Sequence, residues 1–173
     1  MSVARSIYLV GMMGVGKSTV GPLLAARLGR EFVDTDLEIE RRTGRSVAEI
    51  FDREGEAAFR RLEAQAVEAA SNEPVVIALG GGAIVQPGAL ERLSDRGDLV
   101  YLRASAEILL ERIADPSSRP LLSGLSESEC TARLQALLEE RRPFYERARF
   151  QIDADGTGEE VVDRIVARLE ADA

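Results

Sequence analysis

Residues 11–19 read GMMGVGKST, and this short stretch decides the fold class. The apolar run SIYLV precedes it at 6–10, and an amphipathic pattern follows over residues 17–28. Residues 11–18 match G-x-x-x-x-G-K-[ST], in which glycines let successive backbone N–H groups face phosphate oxygens at a helix N-terminus. We therefore predict a phosphate loop (residues 11–18) between a strand and a helix. The residues predicted to contact a nucleotide here are Gly14, Val15, Gly16, Lys17, Ser18 and Thr19.

Lys17 is the only lysine among the 22 basic residues of the chain, and all the others are arginines. A lysine ammonium is a flexible point charge that can reach the β- and γ-phosphates, whereas the planar guanidinium fits that position poorly. We predict that Lys17 contacts these phosphates and that the Ser18 hydroxyl holds Mg²⁺. A glycine-rich turn that binds no ligand is the structural alternative.

The composition limits the class of protein. The 173-residue chain has a net charge of −8, 45% hydrophobic residues, one cysteine and no histidine. These values are typical of one globular domain, and the negative charge argues against non-specific binding to nucleic acid or to an anionic membrane. Cys130 alone can form neither an intrachain disulfide nor a CxxC zinc site. No apolar run has the length of a membrane span or a signal peptide, so we expect a cytoplasmic protein.

Short apolar runs alternate with helical patterns along the chain. Strands are predicted at 6–10, 31–33, 75–79, 99–102 and 150–153, and helices near 17–28, 46–70, 88–96, 105–114, 127–142 and 158–170. This alternation predicts an α/β fold in which helices cover both faces of a parallel sheet. Pro143 is expected to end the helix that precedes it.

The phosphate loop alone does not separate a GTPase switch, a motor ATPase and a kinase. A guanine-reading N-K-x-D motif is impossible because Lys17 is the only lysine, and the run VVIAL (75–79) continues into glycines instead of ending in an acidic residue. Asp34 and Asp36 follow the second predicted strand, at the sheet edge where ligands collect. We predict that Asp34 holds the water shell of Mg²⁺ and that Asp36 faces a second ligand. Alternatively, one of them only caps a helix beginning at Leu37.

Three consecutive glycines and an inward-facing arginine indicate a second binding site. Gly80, Gly81 and Gly82 suggest that a ligand approaches the backbone closely, although a tight turn would also need glycine. Arg141 lies at the centre of an apolar helical stripe formed by three leucines. A guanidinium on an inward face needs an anion.

Two further arginines are candidates for the same site. Arg60 lies on the edge of a buried helical face that includes Glu63, and the two are three positions apart, so they can pair. A purely structural ion pair would explain them equally well. Arg119 lies in the polar insert 114–125, which is either an active-site lid or a surface loop. Together these residues describe a pocket for a small acceptor with a carboxylate and hydroxyl groups, and the chemistry resembles phosphoryl transfer from ATP.

With these motifs in place, the chain resembles the shikimate kinase family. The motifs GMMGVGKST, DTD, FRRLE, GGG, RPLL and ERRPFY occur in the family's order and at its approximate spacing over nearly the whole chain. The resemblance implies a monomeric P-loop NTPase fold of three α/β/α layers, with a five-stranded parallel sheet in the order 2-3-1-4-5. It also implies an acceptor segment at 35–63 and a lid at 113–125. The reaction it implies is transfer of the ATP γ-phosphate to the 3-hydroxyl of shikimate, in aromatic amino acid biosynthesis.

The resemblance also assigns the acceptor site residue by residue. It implies that Arg60 and Arg141 bind the carboxylate of shikimate and that Asp36 binds its hydroxyl groups. The glycines at 80–82 would line the same site. Asp36 would therefore lie between the acceptor and the transferred phosphate.

On the nucleotide side, the resemblance implies that Lys17 and Arg119 stabilise the transferring phosphoryl group. Ser18, with Asp34 acting through water, would hold Mg²⁺. Arg112 resembles the arginine that stacks on adenine.

One departure and two alternatives remain. The family often has a proline after its last strand, where this chain has Gly158, so we expect a more mobile loop over 153–158 and a weaker adenine contact from it. A gluconate-type sugar-acid kinase on the same fold is one alternative function. A non-catalytic nucleotide-binding module is the other, although it leaves the inward arginines and the paired aspartates unexplained.

Overall fold

The computed structural model describes residues 5–70 and 74–172. Within these ranges, five strands form one parallel sheet in the order β2-β3-β1-β4-β5. Their bounds are β1 Ser6–Val10, β2 Phe32–Asp34, β3 Val76–Ala78, β4 Gly97–Arg103 and β5 Phe150–Asp153. Every residue of β1 is buried, so both faces of the central strand are covered. The predicted fold class and strand order are confirmed.

Seven α-helices belong to the described part of the chain. They are α1 Lys17–Leu28, α2 Thr35–Thr43, α3 Val47–Ala70, α4 Ala89–Arg96, α5 Ala106–Arg112, α6 Glu127–Tyr145 and α7 Gly158–Ala171. A 3₁₀ helix, Pro116–Ser118, lies between α5 and α6. None of the helices within these ranges is long and apolar enough to cross a membrane.

The prediction that Pro143 ends its helix is wrong, because α6 continues through it to Tyr145. A proline inside a helix removes the hydrogen bond to the carbonyl four residues earlier. That carbonyl belongs to Glu139, which is exposed, so water can satisfy it. The extra turn buries Tyr145 completely, and this packing offsets the lost hydrogen bond.

Two helix boundaries within residues 35–63 also differ from the prediction. The helix predicted over 46–70 is interrupted at Gly55, whose φ of 83° and ψ of 171° are available mainly to glycine. The helix α2 begins at Thr35 and not at Leu37. A small apolar cluster joins α2 to both halves of α3; it contains Ile39, Ile50, Phe59 and Ala66.

Candidate active site

A cavity of about 490 Å³ opens at the carboxyl ends of the parallel strands. All the site residues predicted from the sequence line it. They are Gly14, Val15, Gly16, Lys17, Ser18, Thr19, Asp34, Asp36, Arg60, Gly80, Gly81, Gly82, Arg112, Arg119 and Arg141. Two predicted binding regions, one for a nucleotide and one for an acceptor, therefore share a single cavity.

The phosphate loop ends at the open N-terminus of α1. Gly14 and Gly16 have φ values of 80° and 107°, a region that other residues rarely adopt, and no side chain caps the helix at Gly16. The N–H groups of Lys17 and Ser18 are therefore available to an anion, whereas that of Thr19 donates to the Gly16 carbonyl at 3.1 Å. Lys17 Nζ donates to the carbonyls of Gly11 at 2.7 Å and Met12 at 2.9 Å. Burial lowers the pKa of Lys17 to about 8, against the opposing influence of nearby carboxylates.

Asp34 joins the phosphate loop to α2. Its Oδ2 atom accepts a hydrogen bond from Ser18 Oγ at 2.6 Å, and its Oδ1 atom accepts from the N–H groups of Asp36 and Leu37 at 3.0 and 3.2 Å. The alternative that an aspartate caps this helix is correct for Asp34, but the same carboxylate also faces Ser18. A hydroxyl beside a carboxylate is the oxygen donor set that Mg²⁺ prefers in phosphate sites, where the ion keeps several waters.

Asp36 brings a carboxylate with a free acceptor atom into the cavity. Its Oδ1 atom is buried and accepts no hydrogen bond from the described residues. Burial, and then the neighbouring Asp34, raise the pKa of Asp36, while Lys17, Arg119 and Arg60 lower it. A buried acceptor without a partner is costly, so this atom is suited to a ligand that donates a hydrogen bond.

The predicted pairing of Arg60 with Glu63 is present. Arg60 Nη1 donates to Glu63 Oε2 at 2.9 Å, and Nη2 donates to the exposed Glu56 at 3.1 Å. Glu63 is only 3% exposed, and burial raises its pKa although Arg60 acts in the opposite direction. The carboxylate of Glu63 therefore orients the guanidinium from the protein side. The Arg60 Nε atom is buried and has no hydrogen-bond partner among the described residues.

Arg141 is 5% exposed, as its position on the apolar stripe of α6 predicts. Its Nη1 atom lies 3.6 Å from the sulfur of Met12, and its buried Nε atom has no hydrogen-bond partner in the described ranges. Four residues later, the hydroxyl of Tyr145 donates to the Gly81 carbonyl at 2.6 Å. Tyr145 was not predicted as a site residue, although its spacing from Arg141 places both side chains on one face of the helix.

The glycines at 80–82 leave room for three charged side chains. A Cβ atom on Gly80 would overlap the carboxylate of Glu63, and one on Gly82 would overlap the guanidinium of Arg60. A Cβ atom on Gly81 would lie 2.8 Å from Arg141 Nη1. None of the three glycines has a positive φ, so close approach and not backbone conformation explains them.

Arg112 and Arg119, from the end of α5 and the chain between α5 and α6, also line the cavity. Arg112 Nη1 donates to the carbonyl of Val15 at 3.0 Å, and Nη2 lies 3.5 Å from the carbonyl of Gly156. Arg119 lines the cavity together with Lys17 and Asp36, and its positive charge helps to lower the pKa of both groups.

Comparisons with known proteins give one consistent result. A family model described as "Shikimate kinase" matches residues 13–170. A shikimate kinase of Salinibacter ruber (strain DSM 13855 / M31) is 44% identical over 174 residues, which cover 96% of this chain and 85% of that relative. The chain belongs to the shikimate kinase family. It is an ATP-dependent kinase.

Solved structures agree with this membership. The shikimate kinase from Acinetobacter baumannii, in complex with shikimate, has a TM-score of 0.91 and 40% identity and covers 97% of this kinase and 94% of that chain. The shikimate kinase from Aquifex aeolicus has a TM-score of 0.83 and 39% identity, over 96% of this kinase and 97% of that chain. A gluconokinase from Sinorhizobium meliloti has a TM-score of 0.55 at 21% identity, which shows a shared fold alone. The two alternative functions are therefore not favoured.

The loop over 153–158 is held by an arginine of α7. Arg164 Nη1 donates to the carbonyls of Asp153 at 2.7 Å and Asp155 at 2.8 Å, and to Asp155 Oδ1 at 2.6 Å. Gly158 is the first residue of α7, the helix position where proline is most favoured. In this kinase the loop therefore has a side-chain anchor, whereas the expectation of a more mobile loop stays a prediction.

Proposed function

We propose that this kinase binds shikimate beside the phosphate loop and transfers the ATP γ-phosphate to its 3-hydroxyl. One observation carries the proposal. Asp36, Arg60 and Arg141 line the same cavity as Lys17, and each carries a buried polar atom without a hydrogen-bond partner among the described residues, namely Asp36 Oδ1 and the Nε atoms of the two arginines. A ligand with a hydroxyl group and a carboxylate would satisfy all of these atoms at once.

The acceptor carboxylate would bind to the two inward arginines. A guanidinium forms paired hydrogen bonds with a carboxylate, and such charge-assisted bonds are about twice as strong as neutral ones. The Glu63 carboxylate holds Arg60 in place on α3. Arg141 belongs to α6, a different part of the chain. Together with the glycines at 80–82, they would orient the acceptor ring so that one hydroxyl faces Asp36.

Phosphoryl transfer depends mainly on positioning and on neutralising charge. Asp36 would accept the hydrogen bond, and finally the proton, of the attacking hydroxyl. Lys17 would leave its two loop carbonyls to contact the β- and γ-phosphates, and Arg119 would bring a second positive charge from the lid. These two cations would stabilise the charge on the equatorial oxygens in the transition state.

The nucleotide would occupy the other half of the cavity. The N–H groups of residues 14–19 would bind the phosphates at the N-terminus of α1, and Arg112 would stack on adenine. The Ser18 hydroxyl and the Asp34 carboxylate suit Mg²⁺, Ser18 as a ligand and Asp34 through water. When bound, Mg²⁺ would neutralise negative charge on the β- and γ-phosphates.

We also propose roles for two segments of the chain and a cellular setting for the protein. The single domain would use residues 35–63 as its acceptor segment and 113–125 as its lid. We expect a monomer that works in the cytoplasm and binds neither nucleic acid nor membranes. Its net charge of −8 supports the last expectation.

The proposal is tested by ADP release from purified protein with ATP and Mg²⁺. Shikimate should start turnover, whereas gluconate should not. The Asp36→Asn variant should lower kcat by about 10²–10⁴ with nearly unchanged ATP affinity, which is the usual effect of losing a general base. Glu38→Gln is the control, because it changes the same charge on α2 where Glu38 pairs with Arg41 and Arg42. Turnover with gluconate instead of shikimate would refute the assignment.

A further inference from the structure

Tyr145 links the end of α6 to the glycines of the acceptor site. Its side chain is fully buried, and its hydroxyl donates a 2.6 Å hydrogen bond to the carbonyl of Gly81. Arg141 precedes it by one helical turn on the same face. Tyr145 is not among the residues that line the cavity, so it would act on a ligand only through its neighbours.

The peptide group between Gly81 and Gly82 lies between two arginines. A Cβ atom on Gly81 would approach the guanidinium of Arg141, and one on Gly82 would overlap that of Arg60. In a trans peptide the carbonyl and the following N–H point in opposite directions. The hydrogen bond from Tyr145 therefore fixes the carbonyl of Gly81 and the direction of the Gly82 N–H together.

The position of the tyrosine hydroxyl is itself well determined. Its ring stacks on that of Tyr101 in β4, with 4.8 Å between ring centroids and 19° between planes. The hydroxyl also lies 3.7 Å from the sulfur of Met12, the atom that Arg141 Nη1 approaches. Burial raises the pKa of Tyr145 to about 12, so the hydroxyl stays protonated and able to donate at physiological pH.

We propose that Tyr145 is a positioning residue for the acceptor. Its hydroxyl holds the Gly81–Gly82 peptide between Arg141 and Arg60 and thereby keeps both guanidinium groups ready for the acceptor carboxylate. This inference rests on the proposed function. Without the hydroxyl, the half-buried carbonyl of Gly81 loses this partner and the peptide is free to shift. The phosphate loop loses only the 3.7 Å contact of Met12 with the hydroxyl and keeps the hydrogen bonds of Lys17.

The test is the Tyr145→Phe variant, which keeps the stacked ring and removes only the hydroxyl. The KM for shikimate should rise about tenfold, the size of effect expected when a hydrogen bond that preorganises the binding site is lost. The KM for ATP and kcat should change less than about twofold. Tyr101→Phe is the matched control, because its hydroxyl forms no hydrogen bond within the described ranges. That variant should keep the parent KM values.

Each other outcome has a defined meaning. If the parent protein does not turn over shikimate, the proposed function is wrong. If the parent is active and folded Tyr145→Phe keeps its shikimate KM within about twofold, only the positioning role is refuted. The positioning role is also refuted if the KM values for shikimate and ATP rise together. It is likewise refuted if Tyr145→Phe fails to fold as judged by circular dichroism. In both cases the hydroxyl acts on the whole fold and not on the acceptor site.

Discussion

Ser18 Oγ donates a 2.6 Å hydrogen bond to Asp34 Oδ2, which joins the helix after the phosphate loop to the end of β2. The other oxygen of the same carboxylate caps α2. Asp34 therefore has two roles that belong to separate atoms. The Oδ1 atom stabilises the start of α2, and we propose that the Oδ2 atom helps to hold Mg²⁺.

These two roles can be separated by mutation. Ser18→Ala should raise the Mg²⁺ concentration needed for half-maximal ADP release by about tenfold or more, and the thermal midpoint should stay unchanged because the cap is intact. Asp34→Ala should show the same Mg²⁺ effect and also lose about 1 kcal/mol of unfolding free energy, the usual effect of losing an N-cap. Magnesium titrations and denaturant unfolding check both. Equal Mg²⁺ dependence of Ser18→Ala and the parent would contradict the metal assignment.

The pKa of Lys17 predicts the alkaline limb of the pH profile. Burial lowers it to about 8, so in the free enzyme the ammonium loses its proton as the pH rises through about 8. The value of kcat/KM for ATP should fall about tenfold per pH unit above that point, because this parameter reports the free enzyme. In the pH profile of kcat, the alkaline limb should lie at higher pH, because bound phosphates raise the pKa of Lys17.

The acid limb depends on Asp36, whose pKa burial raises. The value of kcat/KM for shikimate should therefore fall as the pH decreases through a value above the ordinary range of an aspartate.

Lys17→Arg is the control for the alkaline limb. Arginine stays charged throughout, so the residual activity of this variant should show no limb near pH 8. A parent profile that is flat from about pH 7 to 9 would contradict the assigned role of Lys17.

Arg141→Lys tests the paired contact with the acceptor carboxylate. Lysine keeps the charge but loses the planar fork, so the KM for shikimate should rise at least about tenfold while the KM for ATP stays nearly constant. Arg142→Lys is the control, because Arg142 is the exposed neighbour on the same helix. Equal losses for shikimate and ATP would mean that Arg141 only supports the fold.

Mutation of Arg164 tests the role of the loop over 153–158, in which Gly158 stands where the family often has a proline. Arg164→Gln removes a guanidinium nitrogen that holds Asp153 and Asp155, so the KM for ATP should rise by about three- to tenfold. The KM for shikimate should not change. Arg168→Gln, an exposed position on α7, is the control. An unchanged KM for ATP in Arg164→Gln would show that the loop contributes no adenine contact.

Local patterns predicted much of this molecule. The spacing of the leucines in α6 correctly placed Arg141 inward, since helical periodicity alone decides which face a residue occupies. The phosphate loop was equally predictable, because its glycines and its lysine are contiguous in sequence. Strand order came from the family resemblance, since the periodicity of each strand carries no information about its neighbours.

Contacts between distant segments were not predictable. The glycines at 80–82 indicated close approach, but only the fold shows that Glu63, Arg141 and Arg60 are what approach them. The effect of Pro143 was predicted wrongly. A proline inside a helix costs a hydrogen bond, so the sequence alone suggests that the helix ends there, but burial of Tyr145 offsets this cost. From the sequence, helix capping and Mg²⁺ binding were alternatives for Asp34. Only the structure shows that the two oxygens of its carboxylate have different partners.

The central claim is that this cavity directs the ATP γ-phosphate to one hydroxyl of shikimate. Phosphorus NMR of the product mixture, with proton correlation to the ring, tests it most directly. The account predicts one phosphorylated product, substituted at the 3-hydroxyl and formed in equal amount with ADP. ADP formation without a phosphorylated acceptor, or a phosphate at another hydroxyl, would contradict it.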